Sequence, residues 1–148
     1  MPRDEFTIGH MAKASGCNVQ TVRYYESIGI LPQPPRSHGN QRLYNQSHVN
    51  RAQFVRRSRD LGFSLDQIRA LLTLSDDPER PCDEVDALVL DQLKAVDEKI
   101  TQLQRFRDEL QRMSNVCKGG TVANCQIINT LAQTGEHVRP YCGKKNPA

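Results

Sequence analysis

The sequence predicts a mainly α-helical chain, with a winged helix-turn-helix at its N-terminal end and a long coiled-coil helix behind it. Three observations predict this. Two short amphipathic segments meet at a glycine turn near residue 16. Proline and glycine interrupt helical periodicity between residues 30 and 44. Apolar residues then recur every seven positions from 89 to 110. The composition agrees: there is no Trp, only 5% of residues are aromatic, and 37% of the 148 residues are hydrophobic. That balance suits helix packing better than a β-sandwich. A core of this size is modest, so self-association is an expected way to bury more surface.

The first helix is expected after Thr7, a good N-cap, and is expected to stop at Gly16. Ile8, Met11, Ala12 and Ser15 fall on one face of it. Asn18 can cap a second helix with Val19, Val22 and one of Tyr24 and Tyr25 turned inward, stopping near Gly29. Two short helices across a tight glycine turn make a helix-turn-helix. Pro32, Pro34 and Pro35 then forbid a helix. Ser37 to Asn40 reads as a turn and Gln41 to Tyr44 as a short strand, together a small hairpin or wing. A third helix is expected from about Gln46 to Leu61, with Val49, Ala52, Phe54, Val55 and Leu61 inside and Arg51, Arg56, Arg57 and Arg59 on its other faces. Gly62 ends it. Ser64 and Gln67 are spaced as a capping box for a fourth helix running through Leu74.

Residues 75–81 read as a polar linker and 82–116 as one long helix. Val89, Val96, Leu103 and Leu110 repeat every seven residues, Leu93 and Ile100 fill the complementary positions, and Phe106 and Met113 continue the stripe. This is a coiled-coil seam. At ~1.5 Å per residue such a helix spans about 50 Å. An apolar seam of that length needs a partner in water, and a homodimer supplies one. Residues 117–133 are expected to form a glycine-containing loop and a last short helix, and 134–148 a tail.

Charge divides the chain. Residues 1–62 carry nine Lys/Arg and four Asp/Glu, a net +5, and the rest carries eleven and thirteen, a net −2. A basic N-terminal part is suited to a polyanion. The segment Gln20 to Glu26 occupies the second helix of the helix-turn-helix, where Arg23 can address base edges or phosphates and Thr21 and Tyr24 can hold phosphates. Arg36, Arg42 and Tyr44 in the wing are placed to track the backbone beside it. With Lys13, these seven residues are the candidate contacts to double-stranded DNA, and residues 1–74 the DNA-binding domain. No run is apolar enough to span a bilayer, and the N-terminal stretch lacks a signal-peptide core. A cytoplasmic location, with no membrane partner, is expected.

Ile8-Gly9, Thr21-Val22-Arg23-Tyr24-Tyr25-Glu26, Gly29, Leu31-Pro32, Arg36-Ser37, Gly39-Asn40, Arg42-Leu43-Tyr44 and Leu61-Gly62-Phe63-Ser64-Leu65 resemble the MerR family of metal-responsive transcriptional regulators. The likeness runs from residue 6 to about residue 131. It implies a homodimer joined by an antiparallel coiled coil and bound to a pseudo-palindromic promoter with an overlong spacer. It further implies that metal binding distorts the spacer, so that RNA polymerase can use both promoter elements. Activation would then work through DNA deformation.

In a cytoplasmic protein, five cysteines point to metal or redox chemistry, or to small buried residues, rather than to structural disulfides. Cys82 opens the long helix, Cys117 ends it, and Cys125 opens the last helix. Cys82 and Cys117 lie 35 residues apart on one rod, too far to meet within a chain. In an antiparallel dimer, Cys82 of one subunit approaches Cys117 and Cys125 of the other, giving two three-thiolate sites per dimer with one soft metal ion in each. Helix N-termini attract negative charge, thiolates included. Three sulfurs without a nearby histidine suit mercury(II), lead(II) or cadmium(II) better than zinc, which prefers four ligands. An oxygen from Asp83 or Glu84 would readmit zinc. The C-x7-C loop resembles the copper(I), silver and gold branch of the family, but that branch carries serine where this chain has Cys82. Cys17 reads as a small core residue. Cys142, in the tail, can add a fourth ligand or relay an ion, although a tail cysteine without a motif is more often idle, and His137 has the same standing; His10, His38 and His48 receive no metal role.

Three other functions are weaker readings. A thiol redox sensor needs only one or two cysteines. A drug-sensing regulator needs a ligand domain, and the roughly 30 residues after the rod are too few to enclose a drug-sized pocket. An enzyme is not indicated: no nucleophile-base pair, phosphate-binding glycine loop or C-x-x-C spacing is present.

Overall fold

The computed structural model describes residues 5–116 and 119–133. The predicted tail 134–148, with His137 and Cys142, lies outside the described residues, as does Cys117. The fold is mainly helical, and the chain divides into two compact units after Gln92. No helix among the described residues is long and apolar enough to cross a membrane.

In the first unit, α1 (Ile8–Ser15) begins where Thr7 Oγ1 accepts the His10 N–H at 3.3 Å and ends at Gly16, which takes a φ of +73°. That left-handed conformation is inexpensive only without a Cβ. Three residues later α2 (Val19–Ser27) begins, with Asn18 Oδ1 accepting the Thr21 N–H at 2.7 Å. The chain leaves α2 through Ile28 and Gly29 and enters the wing.

The wing turn runs from Ser37 to Asn40. Arg36 faces Arg42 in an antiparallel bridge, and the Ser37 N–H donates to Gln41 O at 2.8 Å. The predicted strand 41–44 is reduced to isolated bridges, because Pro34 and Pro35 bring no N–H groups with which to extend a ladder. Tyr44 instead pairs with Phe6, exchanging backbone hydrogen bonds of 2.7 and 3.0 Å. The chain ahead of α1 thereby closes onto the end of the wing.

α3 (Gln46–Asp60) and α4 (Leu65–Ser75) both start with capping boxes. Ser64 and Gln67 form the one that the sequence predicts. Asn45 and His48 form the other, with His48 Nδ1 accepting the Asn45 N–H at 3.1 Å. Burial holds the His48 pKa below its ordinary value, which keeps that nitrogen available as an acceptor.

The inward faces of α1, α2, α3 and α4 close on one core that includes Met11, Val22, Ile30, Val49, Val55 and Ile68. Full burial of each such side chain contributes roughly 1.5–3 kcal/mol. One predicted core residue is corrected. Leu61 is 67% exposed, and Phe63 takes the core position at 6%. The helix ends at Asp60, and Gly62 turns the chain at a φ of +84°. Helical phase no longer applies at Leu61.

α5 (Asp83–Val116) is a single helix of 34 residues. Its first turns belong to the N-terminal unit: Val85 and Leu88 pack on the core, and Gln92 Nε2 donates to Leu61 O at 2.9 Å. That compact unit therefore extends past the 75–81 linker read from sequence. No residue of α5 is buried. Val89, Leu93, Val96, Ile100, Leu103, Phe106 and Leu110 are all exposed, so the predicted seam is exposed from Val89 to Leu110 in one copy of the chain, while Met113 is half-buried.

In the second unit, a 3-10 turn (Val122–Asn124) leads to α6 (Gln126–Ala132). Ile127 and Leu131 of α6 share a groove with Phe106, Leu110 and Met113 of α5.

Candidate DNA interface and metal site

The helix-turn-helix presents one face of α2. Arg23 is exposed and Tyr24 is 52% exposed, while Tyr25 is half-buried against the core. The adjacent tyrosines thus divide between surface and interior, as helical phase requires. Thr21 is half-buried, with its N–H held by the Asn18 cap. Lys13 is exposed in the last turn of α1. None of Lys13, Arg23 and Arg36 pairs with a carboxylate among the described residues.

Two of the predicted wing contacts have another occupation. Tyr44 is 2% exposed, and its hydroxyl donates to Glu26 Oε1 at 2.5 Å. Burial first, and then the Glu26 carboxylate, raise the Tyr44 pKa far above the ordinary phenol value, so the hydroxyl stays a donor. Tyr44 is therefore removed from the set of phosphate contacts: its side chain is in the core and its proton is committed. Arg42 is half-buried, with its Nε 3.3 Å from Glu26 Oε2 in an ion pair. Arg36 is exposed and donates to Asn40 O at 3.0 Å, bracing the tip of the wing.

Glu26, 4% exposed on the last turn of α2, is the residue that sequence reasoning missed. It fastens the wing to α2 through Tyr44 and Arg42 together. Its helical phase with Val22, four residues earlier, was the available signal. A carboxylate at an inward position is retained only when paired.

The exposed members of this face make one direct prediction. Arg23→Ala is expected to weaken promoter binding by about 1–3 kcal/mol at fixed salt while leaving thermal stability within about 0.5 kcal/mol. Fluorescence anisotropy with a labelled operator measures the first and a melting curve the second. Unchanged DNA affinity would remove Arg23 from the interface.

Cys82 and Cys125 occupy helix starts. Cys82 is exposed, and its carbonyl accepts the Asp86 N–H at 2.9 Å in the first turn of α5. Cys125 is the half-buried N-cap residue of α6, and its carbonyl accepts the Asn129 N–H at 3.0 Å. Asp83, beside Cys82, is exposed, whereas Glu84 is held by Arg80 at 2.8 Å. Cys17 is half-buried and packs on the core, in agreement with its reading as a small apolar residue. Among the described residues of one copy, no three His, Cys, Asp or Glu side chains gather as a metal site. Two of the histidines are engaged elsewhere: His10 stacks on Phe6 at 4.5 Å and His48 caps α3.

Comparison with known proteins agrees with this architecture. Residues 6–74 match the family model for the MerR HTH family regulatory protein, and residues 49–113 match the model for MerR, DNA binding. ZntR of Escherichia coli (strain K12), an HTH-type transcriptional regulator, is 36% identical over 140 residues, which cover 93% of this chain and 99% of ZntR. The mercuric resistance operon regulatory protein of Serratia marcescens is 39% identical over 130 residues, 86% of this chain and 88% of that one. The crystal structure of the transcription regulator PbrR691 from Ralstonia metallidurans CH34, in complex with lead(II), superposes with a TM-score of 0.75 at 45% identity, covering 86% of this chain and 99% of that one. The helix-turn-helix, the wing, the long helix and these matches over most of its length lead to one assignment: the chain belongs to the MerR family of DNA-binding transcriptional regulators and is not an enzyme.

Proposed function

We propose that this protein is a homodimeric, metal-responsive activator whose signal is a soft divalent ion, with mercury, lead and cadmium as the expected ions. Each ion is held by Cys82 of one protomer and by Cys117 and Cys125 of its partner, giving two sites per dimer. One observation carries the reading. An exposed thiol stands at the start of α5 and a second cysteine stands at the start of α6. The uncovered seam of α5 favours a second copy beside it, whose cysteines would complete the ligand set. Sulfur donors select soft ions, and the mercury and lead associations of the relatives agree with that donor set.

A site built from both protomers couples ion binding to the relation between the two DNA-reading units. A change there alters the deformation of the promoter spacer and the access of RNA polymerase to it.

Mixed dimers test the shared site. Cys82→Ser in one protomer and Cys117→Ser with Cys125→Ser in the other leave one complete shared site and no complete site within either chain. Each variant alone is expected to lose promoter activation by lead, mercury and cadmium, and co-expression of the two is expected to restore part of it. Failure of co-expression to restore activation, with mixed dimers confirmed by tandem tags, overturns the shared site.

A further inference from the structure

From Val89 to Asp108 every residue of α5 is exposed except one, and that one is polar: Gln92 is half-buried. A glutamine amide is covered at low cost only where it is hydrogen-bonded. Here Nε2 donates to Leu61 O at 2.9 Å. Leu61 is the C-cap residue of α3, and carbonyls at a helix C-terminus lack partners within the helix and favour a donor.

The acceptor sits in a turn that is already braced. The Leu61 N–H donates to Arg57 O at 3.2 Å, the Gly62 N–H to Arg59 O at 2.9 Å, the Phe63 N–H to Ser58 O at 3.1 Å, and Arg59 Nη1 to Phe63 O at 3.0 Å. The approach is also cleared. A Cβ at Gly62 would stand 2.6 Å from Gln92 Nε2, so the amide occupies space that a glycine leaves open.

Val85, Leu88 and Gln92 are spaced by three and four residues and share one face of α5. Val85 and Leu88 pack on the core. Apolar contact is non-directional, so by itself it lets a helix slide or roll. A hydrogen bond fixes distance and angle. Gln92 is also the last residue of the N-terminal compact unit, and the exposed seam continues at Leu93.

We propose that Gln92 is a positioning residue: a latch that fixes α5 against the α3–α4 turn, so that a change in α5 pairing passes to the DNA-reading helices instead of being absorbed at Val85 and Leu88. The transmission rests on the metal-responsive dimer proposed above. The latch does not.

Two measurements on the full-length protein separate them. Gln92→Met keeps the reach of the side chain and removes the donor, and Gln92→Lys restores a donor. Hydrogen exchange of the metal-free protein reads the latch. Gln92→Met is expected to speed exchange in residues 61–63 and 85–92, and Gln92→Lys to keep most of the protection. Unchanged protection in Gln92→Met overturns the latch. Transcription from the cognate promoter with and without saturating lead(II) reads transmission. Gln92→Met is expected to lower the ratio of induced to uninduced transcription by roughly 2- to 30-fold, with lead(II) affinity and metal-free promoter affinity unchanged, and Gln92→Lys to recover most of it. An undiminished ratio, or a fall accompanied by equal losses in Gln92→Lys, overturns transmission through this hydrogen bond. A wild type that ignores lead, mercury and cadmium overturns the metal-responsive reading and transmission with it, while hydrogen exchange still decides the latch.

Discussion

Cys82→Ser is expected to abolish promoter activation by lead, mercury and cadmium while leaving the fold and the unliganded DNA affinity intact. Cys82 is exposed and makes no side-chain hydrogen bond among those described, so exchanging sulfur for oxygen there costs folding no more than about 0.5 kcal/mol. The chemical change is large by comparison. A soft, ionisable sulfur is replaced by a hard, neutral hydroxyl. Loss of a supporting partner to a metal ligand costs about 10–100-fold in affinity, and loss of a ligand itself is expected to exceed that range. The remaining two thiolates suit a linear monovalent ion, so a surviving response to silver or copper(I) is compatible with the same geometry. The measurement is reporter transcription against a panel of metals for the wild type and the variant. A full divalent response from Cys82→Ser would sink the three-thiolate site.

Glu26→Ala is expected to destabilise the N-terminal unit strongly for a change that removes no apolar core side chain. It removes the acceptor of the Tyr44 hydroxyl and the ion-pair partner of Arg42 together. Breaking a buried charge pair costs about 3–5 kcal/mol. The Arg42 side chain keeps 26% of its exposure and can turn to water, which places the expected loss near the lower figure, about 3 kcal/mol. For a domain of this size that lowers the melting temperature by roughly 10–20 °C. Tyr44→Phe removes only the hydrogen bond to a charged acceptor, about 1.5–3 kcal/mol, and leaves Arg42 on Glu26. The expected order of melting temperatures is therefore wild type, Tyr44→Phe, then Glu26→Ala, with protein concentration held fixed because self-association shifts the apparent value. A Glu26→Ala protein that melts with the wild type would show that the wing is held by something other than this network.

Cys82 and Glu26 differ in how far neighbouring residues reveal their surroundings. A capping position before a heptad run is a local pattern, and the structure puts Cys82 at the start of α5. The seam is equally local, and every member of it named from Val89 to Leu110 is exposed in one chain. The caps at Thr7, Asn18 and Ser64 follow from the residues immediately after them. The Asn45–His48 box does not, because histidine is an unusual partner at that position. Tyr44 reads as part of the DNA face from its place in a basic wing. Its actual partner, Glu26, lies 18 residues earlier, and no periodicity links them.

The sequence alone determined which segments are helical, where they begin, and which residues carry the basic face and the thiols, because capping, helical phase and glycine turns act over a few neighbouring residues. Only the tertiary structure decided that Glu26 is buried, that Tyr44 belongs to the core, that Leu61 points away from it, and that Gln92 reaches the Leu61 carbonyl. Each of those outcomes depends on which distant group arrives to satisfy a charge, a proton or a surface, and burial makes that pairing obligatory without encoding it in any local pattern.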